Sequence, residues 1–147
     1  MIVEWLDSIV QYSTTSFNMR DTELIALRPP IPTIIDKNAV NPAELFQNRT
    51  LRPILKLQND LLEAIFKQYI IKRKNAFHQL NALKKVSYIE NSIRRDSKLK
   101  NLLVGVITGH FTLEEWALFI ANEGELTKRM TNLLVQRLTS QVASFSH

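Results

Sequence analysis

The chain has no cysteine and only three glycines and five prolines in 147 residues. Without cysteine it can form no disulfide, no thiolate metal site and no cysteine nucleophile. So few glycines do not suit an all-β fold with many tight turns, and they exclude glycine loops that cradle phosphates. Serine and threonine occur without a nucleophile-elbow pattern. The sequence therefore favours a non-enzymatic protein with no cofactor.

Long apolar runs are also missing. None approaches the ~20 residues that a membrane-spanning helix requires. The first ten residues, MIVEWLDSIV, carry acids where a signal peptide carries basic residues, so we expect a cytoplasmic protein without a membrane span. A composition of 45% apolar and 22% charged residues is that of an ordinary globular protein.

Helical periodicity is the main pattern that is present. Between Leu51 and Ile71 apolar residues recur at steps of three and four, which predicts a long amphipathic helix about which the others pack. The members of this stripe are Leu51, Ile54, Leu55, Leu61, Leu62, Ile65, Phe66, Tyr69 and Ile70. Gln58 falls among them, and we expect it to be buried and hydrogen-bonded.

Pro53 admits two interpretations. Either the helix kinks near Arg49, or a short helix ends near Thr50 and a new one begins at Pro53. The kink is preferred because Leu45 and Phe46 continue the stripe backwards. Asn41-Pro42 then supplies the N-cap and the first helical residue.

Two helices are predicted next along the chain. Asn81 caps a helix of about 14 residues, and Asp96 opens another that ends at Gly109, where a left-handed C-cap residue is expected. The inward positions are predicted to be Leu83, Val86, Ile89 and Ile93 in the first, and Leu99, Leu102, Leu103, Val106 and Ile107 in the second.

The strongest helix start is the capping box of Thr112 and Glu115. Its helix is predicted to turn Trp116, Phe119 and Ile120 inward and to end near residues 122–124. A last helix is expected from about Glu125 to Phe145. The fold class is therefore all-α, with a compact bundle of about five helices in a domain spanning residues 41–147, around the Pro-containing helix.

Residues 1–40 are predicted to form an arm, with an amphipathic helix over residues 2–12 and a Pro-rich extended segment after it. Its aliphatic residues are too numerous for a free tail, so we expect the arm to dock on a protein partner or on a second copy of the chain. Deleting residues 1–40 should leave the helical domain folded. The predicted contact residues are Ile2, Trp5, Leu6, Ile9, Val10, Leu24, Ile25, Leu27, Ile31, Ile34 and Ile35.

Positive charge is concentrated in residues 67–100, which hold ten basic and two acidic residues. This basic face either attracts an acidic protein surface or binds nucleic acid, with Tyr69, Phe77 or Tyr88 stacking on bases. Its main members are Lys72, Arg73, Lys74, Lys84, Lys85, Arg94, Arg95, Lys98 and Lys100.

Other candidates for chemistry are weak. His78, His110 and His147 have no metal-ligand spacing among them. Capping and the helix dipole account for Glu114 and Glu115, so no metal or catalytic residue is predicted.

Four stretches within residues 45–145 are distinctive: LFQNRTLRPILKLQNDLLEAIFKQYI, YIENSIRRDSKLKN, GHFTLEEW and LTKRMTNLLVQRL. They resemble short uncharacterised bacterial proteins, some of which carry the label "glyoxalase". The resemblance implies a helical domain. It does not imply that activity, because metal glyoxalases place His and Glu ligands on paired βαβββ modules, which this sequence does not predict. Residues 1–40 depart from the family, which has a short polar lead-in there.

Overall fold

A computed structural model describes residues 18–31 and 41–145, and within those ranges every regular element is helical. This confirms the all-α prediction. The α-helices are α1 (Met19–Leu27), α2 (Pro42–Phe46), α3 (Arg52–Leu57), α4 (Asn59–Lys72), α5 (Ala82–Arg95), α6 (Ser97–Thr108), α7 (Leu113–Ala121) and α8 (Glu123–Thr139). A π-helical turn spans Gln47–Leu51, and 3₁₀ turns span Ala76–Gln79 and Val142–Phe145.

Helix α1 corrects the prediction that the arm after residue 12 is an extended segment. Asn18 caps it by accepting a hydrogen bond from the Asp21 backbone N–H, and Asp21 places negative charge in the first turn. Arg28 is extended, with φ −72° and ψ 129°, because the ring of Pro29 disfavours the helical region for the preceding residue. The Pro-rich stretch therefore ends the helix.

The helical path continues through Pro53, as the preferred interpretation requires. The backbone N–H of Arg52 bonds to the carbonyl of Gln47, five residues back. Pro53 has no N–H, and its ring would clash with the carbonyl of Arg49 in a regular helix, so the wider turn accommodates it. Thr50 and Leu51, both in this turn, are buried.

Gln58 does not lie in the core as predicted. It is a partly exposed turn residue between α3 and α4, with φ −90° and ψ 5°. Its backbone still donates to Ile54 and accepts from Leu62, at 2.9 Å each, so i to i+4 hydrogen bonds continue on both sides of the turn. The predicted single helix is thus two helices in near-continuous register.

Downstream helix starts lie where predicted. The side chain of Asn81 accepts from the Lys84 N–H, and that of Asp96 accepts from the N–H groups of Lys98 and Leu99. Gly109 differs from the prediction, because its φ of −60° is right-handed. The chain leaves α6 through a tight turn in which His110 N–H bonds to Ile107, so no left-handed residue is needed.

Several apolar residues predicted to point inward are exposed. The largest discrepancy is Leu83, which is 82% exposed, and Leu61, Val86 and Leu102 are also exposed. In α5 only Ile89 and Ile93, both in the second half of the helix, are buried. Apolar periodicity thus continues beyond the part of the helix that is buried.

Helix α8 makes its main contacts with α5, α6, α7 and the π turn. It begins two residues earlier than predicted and ends at Thr139, after which Phe145 returns to the core in a separate 3₁₀ turn. Phe145 and Phe77 both pack on Phe66, with ring centroids 5.2 and 6.3 Å from it. This aromatic cluster closes one end of the core.

Candidate functional site

The most elaborate polar cluster lies where the end of α1 meets the start of α7. Arg28 donates two hydrogen bonds to Glu115, from Nη1 to Oε2 at 2.7 Å and from Nη2 to Oε1 at 2.6 Å. The side chains are only 10% and 13% exposed. This fork-to-carboxylate geometry is the strong form of ion pair. We call it the anchor pair.

Glu115 has two further donors. Thr50 in the π turn donates from Oγ1 to Oε2 at 2.6 Å, and the Thr112 backbone N–H donates to Oε1 at 2.8 Å, which with the Thr112 side chain completes the predicted capping box. Burial raises the pKa of the Glu115 carboxyl, but the bonds from Arg28, Thr50 and Thr112 outweigh burial and lower its pKa overall. A carboxylate held by four donors is suited to joining elements rather than to accepting a proton.

Other contacts between α1 and the domain are also polar. Arg20 donates to the carbonyls of Phe111 and Gly109, at 3.0 and 3.2 Å, and Asp21 Oδ2 accepts from the Leu113 N–H at 3.1 Å. These contacts satisfy backbone groups that the ends of α6 and α7 leave open. No residue of α1 is buried, so polar contacts hold the helix in place.

His110 lies beneath this cluster. Its carbonyl accepts from Arg28 Nη2 at 2.8 Å, and its Nδ1 is buried without a hydrogen-bond partner among the described residues. Burial, together with the charges of Arg28 and Arg20, lowers the pKa of the imidazole. Beside the anchor pair, the neutral form of the His110 imidazole is therefore favoured.

Helix α7 presents an exposed apolar stripe. Leu113, Trp116 and Ile120 lie at positions i, i+3 and i+7, which share one face of a helix, and they are 42%, 43% and 49% exposed. Trp116 and Ile120 were predicted to point inward, but of the three predicted residues only Phe119 does. Trp116 instead stacks on Phe119, with centroids 5.7 Å apart.

Part of the predicted contact set of the arm is described. Leu24 and Ile31 are half-buried, while Ile25 and Leu27 are more than half exposed. The remaining predicted contacts lie outside the described residues: Ile2, Trp5, Leu6, Ile9, Val10, Ile34 and Ile35. The described part of the arm therefore docks on its own domain through its charges and leaves aliphatic side chains outward.

The basic face divides into paired and exposed residues. Arg73 bonds to Asp96 at 2.6 Å and lies over the ring of Tyr69 at 4.5 Å, and Arg94 bonds to Glu90 at 3.1 Å. The exposed members include Lys72, Lys74, Lys84, Arg95 and Lys98.

The aromatic residues proposed to stack on bases are part of the protein interior. Phe77 is fully buried, and Tyr69 and Tyr88 are half-buried against Phe66. Phe77 cannot stack on a base in this fold.

Within residues 18–31 and 41–145, no group of three His, Asp or Glu side chains could hold a metal ion. Among the same residues, no helix is both long and apolar enough to cross a bilayer.

Sequence reasoning found Glu115 as a capping residue but missed its partners. Arg28 and Thr50 lie 87 and 65 residues away from it, so no local spacing connects them. Comparison of the chain with protein-family models, curated proteins and solved structures gave no match.

Proposed function

We propose that this chain is a non-enzymatic interaction subunit that binds an apolar helix of a partner protein at the α1–α7 surface. We define this surface as the stripe Leu113, Trp116 and Ile120 of α7 together with the first turn of α1, where Asp21 contacts Leu113. The stripe carries the proposal, since three large apolar side chains aligned on one exposed helix face are typical of a groove-and-helix interface.

The arm supports the same proposal. The Asp21–Leu113 contact sets the first turn of α1 beside the start of the stripe. The anchor pair holds α1 on the domain through an ion pair. The aliphatic residues Ile25 and Leu27 of α1 are therefore not needed for this contact and remain exposed. A prepositioned surface reduces the ordering cost of binding.

The experiment is photo-crosslinking in cells, with a benzophenone amino acid at position 116 of the full chain. We expect one discrete adduct, whose mass identifies either a second copy or a different protein. The matched control carries the same probe at position 83, because Leu83 is the more exposed apolar residue and lies on α5. Equal adducts from both positions, or none from position 116, would overturn the proposal.

A surface variant provides the second test. Trp116→Ser should abolish the adduct formed by a probe at position 120 while leaving the helical circular dichroism unchanged, because the side chain is exposed. Leu83→Ser should leave that adduct intact.

Nucleic-acid binding is the alternative, and the exposed lysines and arginines of the basic face favour it. Its test is a salt titration with a labelled single-stranded oligonucleotide. Tight binding that Lys72→Gln, Lys74→Gln and Lys98→Gln jointly remove would favour this alternative.

A further inference from the structure

A groove between α3 and α8 borders the basic face, since its lining residue Asn132 accepts a hydrogen bond from Arg94 at 2.9 Å. Two adjoining cavities of about 260 and 340 Å³ share Arg52, Leu133 and Gln136 in their linings and so form one continuous groove. The first is completed by Leu55, Arg137 and Ser140, and the second by Gln47, Glu125, Lys128, Arg129 and Asn132. We call this the cationic groove.

Its charges are unbalanced. Four cations from the described part of the chain line the groove, and the one acid among these lining residues, Glu125, is already bonded to Arg129 at 3.0 Å. Among the described residues, the hydrogen bonds of Arg52 and Arg137 go only to amide oxygens, on Asn48 and Asn59. Neither guanidinium has a carboxylate partner in that part of the chain.

Arg52 of α3 and Arg137 of α8 both line the smaller cavity. Burial and the charge of Arg52 both lower the pKa of Arg137, which means that the positive charge there is held unfavourably. An anion between them would relieve this cost. Fold stability does not require such an arrangement, since apolar residues could fill the same position.

We propose that the cationic groove binds the phosphoryl group of a small phosphomonoester, held between Arg52 of α3 and Arg137 of α8. Guanidinium groups match phosphate oxygens in pairs. A tetrahedral dianion offers enough oxygens to engage two arginines from different helices, whereas a carboxylate is satisfied by one. The volume suits a small ligand rather than a long polymer, and the polar side chains Gln136 and Ser140 can bond to hydroxyl groups beside the phosphate.

The test is isothermal titration of the full chain with glycerol 3-phosphate and with inorganic phosphate, at constant ionic strength set with chloride. We expect saturable one-to-one binding of both probes, tighter for the ester, and at least tenfold weaker binding of acetate. Arg52→Gln and Arg137→Gln should each weaken phosphate binding about tenfold or more, which is 1.4 kcal/mol.

The matched control is Arg95→Gln, which removes an exposed arginine of the basic face and should change binding less than twofold. Circular dichroism verifies folding, and Arg52→Lys, which keeps the charge but loses the fork, should bind with intermediate affinity. Non-saturable binding, equal binding of acetate, or an equal loss in Arg95→Gln would overturn the proposal. The proposal would also be overturned if an oligonucleotide bound more tightly than the ester by a factor larger than the number of phosphates in the oligonucleotide.

Discussion

Tyr69 and Tyr88 belong to the same aromatic cluster but differ in what their hydroxyls contact. Tyr69 donates to Asp96 at 3.1 Å, whereas the Tyr88 hydroxyl is buried without a hydrogen-bond partner among the described residues. Burial raises the pKa of Tyr88. We predict that Tyr88→Phe is neutral or stabilises the fold by up to about 1–3 kcal/mol, because it removes an unsatisfied group.

Tyr69→Phe is the matched comparison. It removes a hydroxyl that has a partner, so urea unfolding should show a loss of about 0.5–1.5 kcal/mol. A loss of similar size in Tyr88→Phe would show that its hydroxyl is bonded in solution.

His110 gives a prediction about pH. Its pKa is lowered in the folded state, so the unfolded chain takes up the proton first as the pH falls. The stability from neutral His110 is therefore complete above the unfolded pKa of about 6.5 and is lost as the pH falls through the lower folded value. His110→Asn should make the free energy of unfolding less dependent on pH below about 7, measured by denaturant titrations at several pH values.

The structural roles of single residues were predicted correctly where the role depends only on neighbouring residues in the sequence. The capping role of Glu115 follows from its spacing to Thr112, and both halves of the box are present. Its ion pair could not be predicted, because Arg28 reaches it only after α1 has docked. Gln58 shows the opposite error. Helical periodicity assigned it to the core, whereas it is a partly exposed turn residue between α3 and α4.

At the scale of elements, the start of α7 is the best-defined helix terminus. The Thr112 hydroxyl oxygen accepts from the Glu115 N–H at 3.1 Å. Thr112→Ala should cost about 1 kcal/mol in thermal or urea unfolding. Thr108→Ala is the control, because that hydroxyl is exposed and only bonds to a carbonyl of its own helix. Equal effects of the two changes would argue against the cap as the source of stability.

Helix starts were predicted more reliably than the surfaces that helices bury. Asn81, Asp96 and Thr112 each supply the predicted side-chain acceptor, because capping depends on the next three residues alone. Burial depends on the neighbouring elements. Leu83, Trp116 and Ile120 match the apolar period but lie on faces that no described element covers completely. The cationic groove was missed for the same reason, since Arg52 and Arg137 belong to different helices and line one cavity only in the folded chain.

For the whole molecule, the anchor pair changes the expected consequence of deleting residues 1–40. The deletion removes Arg28 and leaves Glu115 partly buried without its cation. Removing one partner of a buried ion pair typically costs about 3–5 kcal/mol. The truncated chain is still expected to fold, but we predict that it unfolds at a lower urea concentration than the full chain.

Glu115→Gln separates this electrostatic cost from the loss of other arm contacts. In the full chain the substitution should destabilise, because it leaves Arg28 without its carboxylate. In the truncated chain it should stabilise, because it removes an unpaired charge while the amide oxygen can accept from the Thr112 N–H and the amide NH2 can donate to the Thr50 hydroxyl oxygen. The coupling energy of this two-by-two comparison reports the anchor pair itself. If Glu115→Gln had the same effect in both chains, the arm would not be held by Arg28, and the prepositioned α1–α7 surface would lose its structural basis.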